Sequence, residues 1–351
     1  MERTNKNKSL ATQMKLKIKN GKLKPKKNEY DGDVKHIVST GSTLLDLSIS
    51  GGRIRGGGIP SGIMVEFFGP ESTGKTVMLC EIAGAIQRKN GRVLFQDPEA
   101  RLNKQFAAIF DMQLKPEDYS KPNKVIEVFK KIREWVPGLK EDTLNGIFTD
   151  SLAALSTDIE MNNDDGDKMG MKRAKDFSAE FRKNARILAE NNILMVNSNQ
   201  VRDSQDAYGP KVKSTGGRAI GFYSSLRIQA LNYTKIKHTI KIHGKEVTRI
   251  KGVTTNFHIF KSSVWKPFRT VPVTIIFDYG IDDIRQNLQF IKDHTSNKVY
   301  TLGGDNLDAS MEKSIAIIEE EELEKTLKEE VIDLWEAVER KFEISRIPKR
   351  R

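Results

Sequence analysis

The pattern of apolar and polar positions alternates along the chain between signals for strands and signals for helices. Short apolar runs bounded by turn residues predict buried strands, and apolar residues three or four positions apart predict one face of a helix. Runs that predict strands lie at 63–68, 93–96, 146–149 and 193–196. The predicted helices between them cover about 74–89, 125–136 and 174–189. Such alternation indicates an α/β domain with a mainly parallel central sheet.

The pattern changes beyond Leu226. Two runs, 247–261 and 271–277, predict antiparallel strands that extend the sheet. A smaller helical region starts at Ile281. Apolar residues at helical spacing then predict a terminal amphipathic helix: Val331, Leu334, Trp335, Val338 and Phe342. We expect its apolar face to pack on its own domain rather than on a partner.

Composition narrows the class of protein. The 351 residues carry a net charge of +12, which favours a polyanionic partner, either nucleic acid or an anionic surface. The single cysteine, Cys80, excludes an intrachain disulfide and a cysteine-rich zinc site, and five scattered histidines argue against a histidine metal site. No apolar run approaches the roughly 18 residues of a membrane span, and none follows the basic N-terminus as in a secretory signal. We therefore expect a cytoplasmic protein without a membrane partner.

The excess of positive charge is concentrated at the N-terminus. Residues 1–27 carry ten basic side chains and one acidic side chain, a net charge of +9. Such a stretch is typical of a solvated tail, but its charge also suits an arm that binds DNA phosphates. Because 9–18 has weak helical character, the stretch also suits an oligomerisation arm that docks on a neighbouring subunit. These patterns divide the chain into a basic tail (1–37), an α/β core (38–281) and a small α-rich C-terminal domain (282–351).

The strongest chemical signal lies between the first predicted strand and the helix that follows it. Its residues fit the phosphate-binding P-loop pattern GxxxxGK[ST]: Gly69, Pro70, Glu71, Ser72, Thr73, Gly74, Lys75 and Thr76. Glycines let backbone N–H groups turn toward phosphate oxygens, and the helix N-terminus adds partial positive charge. We expect Lys75 to reach the β and γ phosphates of ATP, and the Thr76 hydroxyl to bind Mg²⁺.

Two carboxylates follow neighbouring strands and predict hydrolysis. Asp150 comes directly after the strand at 146–149, where a P-loop ATPase places a carboxylate beside Mg²⁺; the alternative role is a helix N-cap. Glu99 follows the strand at 93–96 and is placed to orient or deprotonate water; the alternative is an exposed loop carboxylate. The sequence therefore predicts an ATPase that uses Mg²⁺.

Several further motifs resemble the bacterial RecA recombinase family, in family order and at similar spacing. They lie at 39–42, 44–46, 69–76, 96–100, 149–155, 199–202, 214–219 and 222–223, and the resemblance covers about 38–281. It implies a RecA-like P-loop core and a DNA-dependent ATPase that releases ADP and phosphate. It also implies polymerisation into a filament on single-stranded DNA, with homologous pairing and strand exchange in DNA recombination and repair.

The resemblance also implies roles for single residues at the nucleotide. Glu99 resembles the glutamate that activates water, and Asp150 resembles the Walker B carboxylate. Asn103 falls where the family places a polar contact to the base. Phe106 falls where an aromatic ring lies against adenine, with core packing as its alternative. Gln200 resembles the residue that senses the γ-phosphate and passes its presence to the neighbouring DNA loop.

Two DNA-binding loops are implied at about 160–173 and 203–217, with ordinary solvated loops as the alternative. The candidate contacts to DNA are Met169, Gly170, Lys172, Arg173, Arg202, Lys211, Lys213, Thr215, Gly216, Gly217 and Arg218. Basic side chains suit phosphates, and Met169 suits insertion between bases. Phe222 and Lys261 fall in the implied subunit interface, so ATP would lie between protomers. Single- and double-stranded DNA, further copies of the chain, and mediator or single-strand-binding proteins are the implied partners.

The chain departs from the family pattern at several positions. Acidic residues cluster within 162–167, Ser263 replaces one of two interface lysines, and Gly221 stands where the family usually has lysine. Such drift is typical of a viral or otherwise divergent member. Three alternatives share a P-loop core: a hexameric helicase or branch-migration motor, a DNA-binding filament that uses ATP as a clamp and barely hydrolyses it, and, more distantly, a small-molecule kinase.

Overall fold

The computed structural model describes residues 36–139, 143–157, 169–203, 212–215, 218–344 and 346. In this part of the chain, helices α1 to α9 are Thr43–Ser50, Lys75–Arg88, Lys104–Ala108, Val125–Trp135, Met169–Glu190, Arg218–Tyr223, Asp283–His294, Met311–Glu320 and Glu324–Arg340. Strands β1 to β14 are Ile37–Val38, Ile59–Pro60, Met64–Gly69, Val93–Gln96, Tyr119–Ser120, Asn145–Thr149, Ile193–Asp203, Val212–Ser214, Leu226–Ile242, Lys245–Ser262, Thr270–Ile276, Gly280–Ile281, Thr301–Leu302 and Asp305–Asn306. The basic tail predicted at 1–37 lies outside the described residues except for His36 and Ile37.

One large mixed sheet organises the fold. Its strand order is β12-β11-β10-β9-β3-β7-β6-β4-β5, and β8 pairs with the outer end of β7. The pairs from β9 through β3, β7, β6, β4 and β5 are parallel, whereas β9 to β12 pair antiparallel. The predicted α/β class with a mainly parallel central sheet is therefore confirmed, and so is the antiparallel extension.

Helices cover both faces of the parallel strands, so alternate residues of a strand belong to two different hydrophobic clusters. On β3, Met64 belongs to the cluster of α4 and α5, whereas Val65 belongs to the cluster of α2. Burial on both faces explains why these strands appear in the sequence as continuous apolar runs. The same arrangement brings the carboxyl ends of β3, β4, β6 and β7 to one edge, where α/β proteins bind ligands.

The two predicted DNA loops are shorter in the structure than in the sequence-based prediction. Helix α5 begins at Met169, so the prediction of a loop through Arg173 is wrong for its last five residues. The helix starts early because the residues after Gly170 are good helix formers, and Lys172 pairs with Asp176 one turn later at 2.9 Å. Strand β7 continues to Asp203 and pairs with β8, so the second predicted loop contains strand residues at 203 and at 212–214.

The sequence pattern does not predict β9. In the structure β9 and β10 form a hairpin of two long strands, 17 and 18 residues, that starts in the sheet and continues beyond it. Near the sheet, the residues of β9 alternate between buried and partly buried, but 232–242 are almost all exposed and rich in lysine. The run 226–230 alternates apolar and polar residues, as a half-buried strand does, so the prediction omits a signal that the sequence contains.

The C-terminal helices pack on the chain's own core. Helix α9 buries Leu327, Val331, Ile332 and Trp335 and contacts α7 and α1, which confirms that its apolar face packs on its own chain. Phe342 was predicted on this face and does not belong to it, because α9 ends at Arg340 and the Phe342 side chain is 73% exposed. No helix of the described residues is long and apolar enough to cross a membrane. The domain boundary at 281/282 stays a prediction.

A buried carboxylate, Asp46, fixes the segment that leads into α1. It accepts hydrogen bonds from the Ser39 hydroxyl at 2.5 Å, the Thr40 hydroxyl at 2.7 Å and the Thr40 backbone N–H at 2.8 Å. Burial raises the pKa of Asp46 from 3.8 to about 6, although Lys328 and these hydrogen bonds act in the opposite direction. Asp46 is therefore protonated in the folded state at a pH where it is ionised in the unfolded chain.

This shift predicts a pH dependence that Asp46→Asn removes. A folded-state pKa above the unfolded value adds stability below about pH 4, and that stability is lost as the pH rises to about 6. Relative to Asp46→Asn, the wild type should lose up to about 3 kcal/mol of unfolding free energy across that window. Urea unfolding of both proteins from pH 4 to pH 7 measures the difference. Two parallel curves would contradict the prediction.

Candidate functional site

The P-loop joins the end of β3 to the start of α2, as the sequence predicts. Gly69 has φ of +155° and Gly74 has φ of +85°. A Cβ atom at Gly69 would lie 2.3 Å from the Ala230 carbonyl oxygen, and one at Gly74 would lie 2.2 Å from Ile275 Cδ1. Both positions therefore require glycine. Thr73 closes the turn by donating to the Pro70 carbonyl oxygen at 2.9 Å, while the intervening Glu71 and Ser72 are exposed.

Lys75 lies over this loop and suits an anion there. Its Nζ donates to the carbonyl oxygens of Gly69 at 3.0 Å and Pro70 at 2.5 Å. Burial lowers the pKa of Lys75, while Asp150, Glu71 and Glu99 act in the opposite direction. The first N–H groups of α2 have no partner within the helix and carry partial positive charge. A cation and a helix N-terminus facing one exposed loop fit the phosphates of a nucleotide.

Thr76 and Asp150 meet beside the loop. The Thr76 hydroxyl donates to Asp150 Oδ2 at 2.6 Å, and the Ser198 hydroxyl donates to Oδ1. Burial raises the pKa of Asp150, and these two hydrogen bonds lower it. Because both carboxylate oxygens bond to side chains of α2 and β7, the geometry favours the Mg²⁺-side role over the alternative N-cap role.

The Thr76 hydroxyl and the Asp150 carboxylate fit as ligands of a magnesium ion better than as ligands of a structural metal. Among the described residues, no three His, Cys, Asp or Glu side chains form a cluster that could hold a metal ion. Mg²⁺ is commonly held by one or two carboxylates together with water and substrate phosphate oxygens. The Thr76 hydroxyl and the Asp150 carboxylate are such a partial set, next to the loop that fits phosphates.

Glu99 is held in place by three side chains at the same edge of the sheet. Its Oε1 accepts from the Ser151 hydroxyl at 2.8 Å and from Gln200 Nε2 at 3.4 Å, and its Oε2 pairs with Arg101 at 2.8 Å. The side chain is only 17% exposed. It is thus a positioned carboxylate rather than the freely exposed loop residue of the alternative interpretation.

Gln200 connects Glu99 with the second predicted DNA loop. Its side chain donates to Glu99, and its backbone carbonyl oxygen accepts from the Thr215 N–H at 3.1 Å. Thr215 also donates its hydroxyl hydrogen to Asn199 Oδ1 at 2.5 Å. The structure therefore brings together the proposed water-activating residue, the proposed γ-phosphate sensor and the base of the loop.

The two residues assigned to the adenine base lie on and before α3. Asn103 caps this helix by accepting from the Phe106 N–H at 2.8 Å. The Phe106 ring contacts Phe110 edge-on, with ring centroids 5.3 Å apart, and is partly buried against the core. Packing on the core and contact with a base are compatible for a ring that keeps one side open, and the contact with the base stays a prediction.

The predicted DNA contacts differ in what their side chains bond to and in how exposed they are. Lys172 pairs with Asp176, and the Arg173 guanidinium donates to the backbone carbonyls of Leu152 and Ala153, whereas Arg218 is exposed at the start of α6. For Met169, Gly170, Arg202 and Lys213 the structure gives the backbone, in α5, α5, β7 and β8. Lys211, Gly216 and Gly217 lie outside the described residues, as does the acidic cluster in the first loop.

Phe222 and Lys261, predicted at a subunit interface, lie side by side. The Phe222 side chain is 77% exposed. Lys261 Nζ donates to the backbone carbonyls of Gly221 at 2.8 Å and Phe222 at 3.2 Å. Burial lowers the pKa of Lys261, Arg227 lowers it further, and Glu66 acts in the opposite direction. A large exposed ring beside a cation is typical of protein interfaces, and this role stays a prediction.

Comparison with known proteins identifies the family. Residues 8–282 match the RecA N-terminal domain. The chain belongs to the RecA family. Protein RecA of Deinococcus radiodurans is 28% identical over 305 residues, covering 84% of this chain and 79% of that protein. Protein RecA of Phytoplasma mali is 29% identical over 272 residues (76% and 75%), and that of Thermus thermophilus is 31% identical over 252 residues (71% and 69%).

Membership of the RecA family confirms the resemblance found in the motifs, and with it a role in ATP-dependent DNA recombination and repair. Identities of 28% to 31% also agree with a divergent member. The matches favour the recombinase over the helicase, clamp and kinase alternatives.

Several residues next to the predicted site have no role assigned in the sequence-based prediction. They are Ser151, Ser198, Arg101, Glu66, Asn199 and Arg227, all of which bond to predicted site residues or to one another. One signal was available for some of them: the polar run 197–200 directly follows the buried apolar run 193–196 of β7. Polar residues at the carboxyl end of a buried parallel strand point to a site.

Proposed function

We propose that this RecA-family protein is a DNA-dependent ATPase that polymerises on single-stranded DNA and catalyses homologous pairing and strand exchange with duplex DNA. One observation carries this proposal. At the carboxyl edge of the parallel sheet, Thr76 of the P-loop bonds to Asp150, and Gln200 connects Glu99 by hydrogen bonds to Thr215 at the base of the second loop. A nucleotide site and a DNA loop that share residues can affect each other directly.

The chain's own residues divide the work of hydrolysis. Lys75 and the N-terminus of α2 bind the phosphates, and Thr76 with Asp150 hold Mg²⁺. Bound Mg²⁺ neutralises phosphate charge and helps to align the γ-phosphate. Glu99 orients a water molecule and accepts its proton. Ser151 and Arg101 hold the two oxygens of Glu99, so the carboxylate does not need to be positioned anew in each cycle.

Gln200 supplies the connection between hydrolysis and DNA. Its amide donates to Glu99 at 3.4 Å, a long hydrogen bond that a γ-phosphate oxygen can replace. A change of partner by this side chain moves the end of β7, whose carbonyl at Gln200 holds the Thr215 N–H. The ATP-bound form would therefore hold the second loop against DNA, and hydrolysis would release it.

Gln200→Ala should bind ATP but lose the tightening of single-stranded DNA binding by ATP. We expect the ratio of DNA affinities with and without a non-hydrolysable ATP analogue to fall by about tenfold or more, within the usual range of coupling between two sites. Fluorescence anisotropy with a labelled oligonucleotide measures the ratio. Gln289→Ala is a matched control, since this glutamine on α7 bonds to Asp293, far from the site in the chain. An unchanged ratio in Gln200→Ala would contradict the switch.

Electron microscopy separates the recombinase from its alternatives. With single-stranded DNA and a non-hydrolysable ATP analogue, we expect helical filaments in which the face of Phe222 and Lys261 meets the next protomer. Closed rings with a central channel would instead indicate a hexameric helicase. A filament that forms but shows no ATP turnover with DNA would indicate the ATP-clamped alternative.

A further inference from the structure

A buried glutamate, Glu66, joins three strands just before the end of β3 that leads into the P-loop. It lies on β3, opposite Asn197 of β7 on one side and opposite Arg227 of β9 on the other. Its side chain is fully buried. One carboxylate oxygen, Oε1, accepts from Asn199 Nδ2 at 2.9 Å, and the other, Oε2, accepts from Arg227 Nε at 2.6 Å. The carboxylate thus bridges two strands that do not touch each other.

On the β7 side, the Asn199 side chain forms hydrogen bonds to both Gln200 and Thr215. Asn199 Nδ2 donates to the Thr215 carbonyl oxygen at 2.9 Å as well as to Glu66. Asn199 Oδ1 accepts from the Thr215 hydroxyl at 2.5 Å and from the Gln200 N–H at 3.0 Å. This fully buried amide therefore fixes the base of the second loop and the proposed γ-phosphate sensor with the same two atoms.

On the β9 side, Arg227 leads to the predicted subunit interface. The guanidinium carbon lies 4.5 Å from the ring centroid of Phe68 and 5.3 Å from that of Phe260. A Cβ atom at Gly221 would lie 3.1 Å from Arg227 Nη1, so a side chain there would press on the guanidinium. The Gly221 carbonyl in turn accepts from Lys261 at 2.8 Å. Arg227 thus lies against the backbone that carries Phe222.

Hydrogen bonds, together with the close approach of Arg227 to the backbone at Gly221, form one continuous path through the protomer. Its members, in spatial order, are Thr215, Asn199, Glu66, Arg227, Gly221 and Lys261. A charged group at 0% exposure depends on its two partners, because removal of either leaves an uncompensated polar group in the core. As long as the contacts of Glu66 hold, movement of the end of β7 therefore also moves the Arg227 side chain.

We propose that Glu66 is a positioning residue that couples the second DNA loop to the interface face of the same protomer. This inference rests on the proposed function and adds a second connection, from the DNA loop to the subunit interface. Gln200 reports the state of the protomer's own nucleotide, whereas Glu66 transmits the position of the loop to Arg227, Phe222 and Lys261, where the next protomer binds. The path makes DNA binding by one protomer favour the docking of its neighbour.

Glu66→Gln tests this role with little change of shape. The amide oxygen can still accept from Asn199, but the negative charge that holds Arg227 is lost. We expect the ATP-dependent tightening of single-stranded DNA binding to fall by about tenfold or more, and the Hill coefficient of DNA binding to approach one. The affinity for the ATP analogue without DNA should stay within about twofold, because no P-loop group is altered. A purely structural role would lower the melting temperature without this selective loss of cooperativity.

Two further variants identify the path itself. Thr215→Val removes the hydroxyl donor at the opposite end and keeps the shape of the side chain, and Thr215 lies in a partly buried turn rather than in the fully buried core. It should reduce cooperativity as Glu66→Gln does. The double variant Glu66→Gln with Arg227→Gln should be no worse than Glu66→Gln alone, because groups in one path are not additive. Arg227→Lys, which keeps the charge, should restore part of the cooperativity that Arg227→Gln loses.

Glu339→Gln provides a matched control. Glu339 accepts two hydrogen bonds from Arg269, at 2.8 and 2.7 Å, in another partly buried ion pair outside this path. This variant should keep the wild-type Hill coefficient. If Glu66→Gln and Thr215→Val both fold and both keep the wild-type cooperativity, the inference about Glu66 is wrong, but the proposed function is not affected. If Glu66→Gln fails to fold, wild-type cooperativity in Thr215→Val and Arg227→Gln overturns it. A wild type that shows no ATP-dependent DNA binding would contradict the proposed function, and the Glu66 path with it.

Discussion

Lys75→Ala is expected to weaken ATP binding by about two orders of magnitude and to abolish ATP-dependent DNA binding. Lys75 belongs to the loop itself, and its Nζ already bonds to the Gly69 and Pro70 carbonyls at 3.0 and 2.5 Å. Charged hydrogen bonds contribute about 1.5–3 kcal/mol each, so the loss of one or two accounts for about a hundredfold in Kd. Titration with a fluorescent ATP analogue measures the change.

Lys89→Ala is the matched control for that substitution. Lys89 caps the opposite end of α2 and donates to the Ile37 carbonyl oxygen at 2.8 Å, so the same charge is removed from the same helix. Because Lys89 lies at the helix C-terminus, it does not face the phosphates, and its loss should leave Kd for ATP within about twofold. Wild-type ATP affinity in Lys75→Ala, or equal loss in both variants, would contradict the phosphate role of Lys75.

Glu99→Gln is expected to bind ATP normally but to lower DNA-stimulated turnover by about two orders of magnitude or more. The glutamine keeps the shape of the side chain and an oxygen that accepts from Ser151, but it cannot take a proton from water. Phosphate release at saturating ATP and single-stranded DNA measures turnover, and nucleotide titration measures binding. The two results together separate a defect in chemistry from a defect in binding.

Two comparisons make the Glu99 result specific. Glu190→Gln makes the same chemical change at an exposed carboxylate on α5 that pairs with Arg186, and turnover should not change. Ser151→Ala removes the donor at 2.8 Å from Glu99 Oε1, so turnover should fall but less than in Glu99→Gln. Hydrolysis by Glu99→Gln at the wild-type rate would mean that another group activates water.

The parts of the site that follow directly from the sequence are those set by local chemistry. The P-loop is recognisable because its glycines adopt positive φ and its position between an apolar run and a helix is specific. Asp150 and Glu99 are recognisable because each follows a buried strand, and parallel strands bring their carboxyl ends to one edge. The fold class follows from the same alternation of periods, and the family match supports it.

The parts that could not be predicted depend on register between distant strands. The contact of Ser198 with Asp150 requires β6 and β7 to pair with Thr149 opposite Asn197. The Glu66 bridge likewise requires β3 to lie between β7 and β9, and the order of strands in a sheet does not follow from the pattern of any one strand. The hydrogen bonds of Arg173 to backbone carbonyls of its own chain could not be predicted either, and its contact with DNA stays a prediction.

Strand exchange tests the central claim most directly. The protein, ATP and Mg²⁺ are incubated with circular single-stranded DNA and a linear duplex, either homologous or of unrelated sequence, and products are separated on a gel. We expect joint molecules and exchanged strands with the homologous duplex, none with the unrelated duplex, and none with Lys75→Ala. DNA-stimulated ATP turnover without exchange, or strand separation that is independent of homology, would contradict the assignment of this protein as a recombinase.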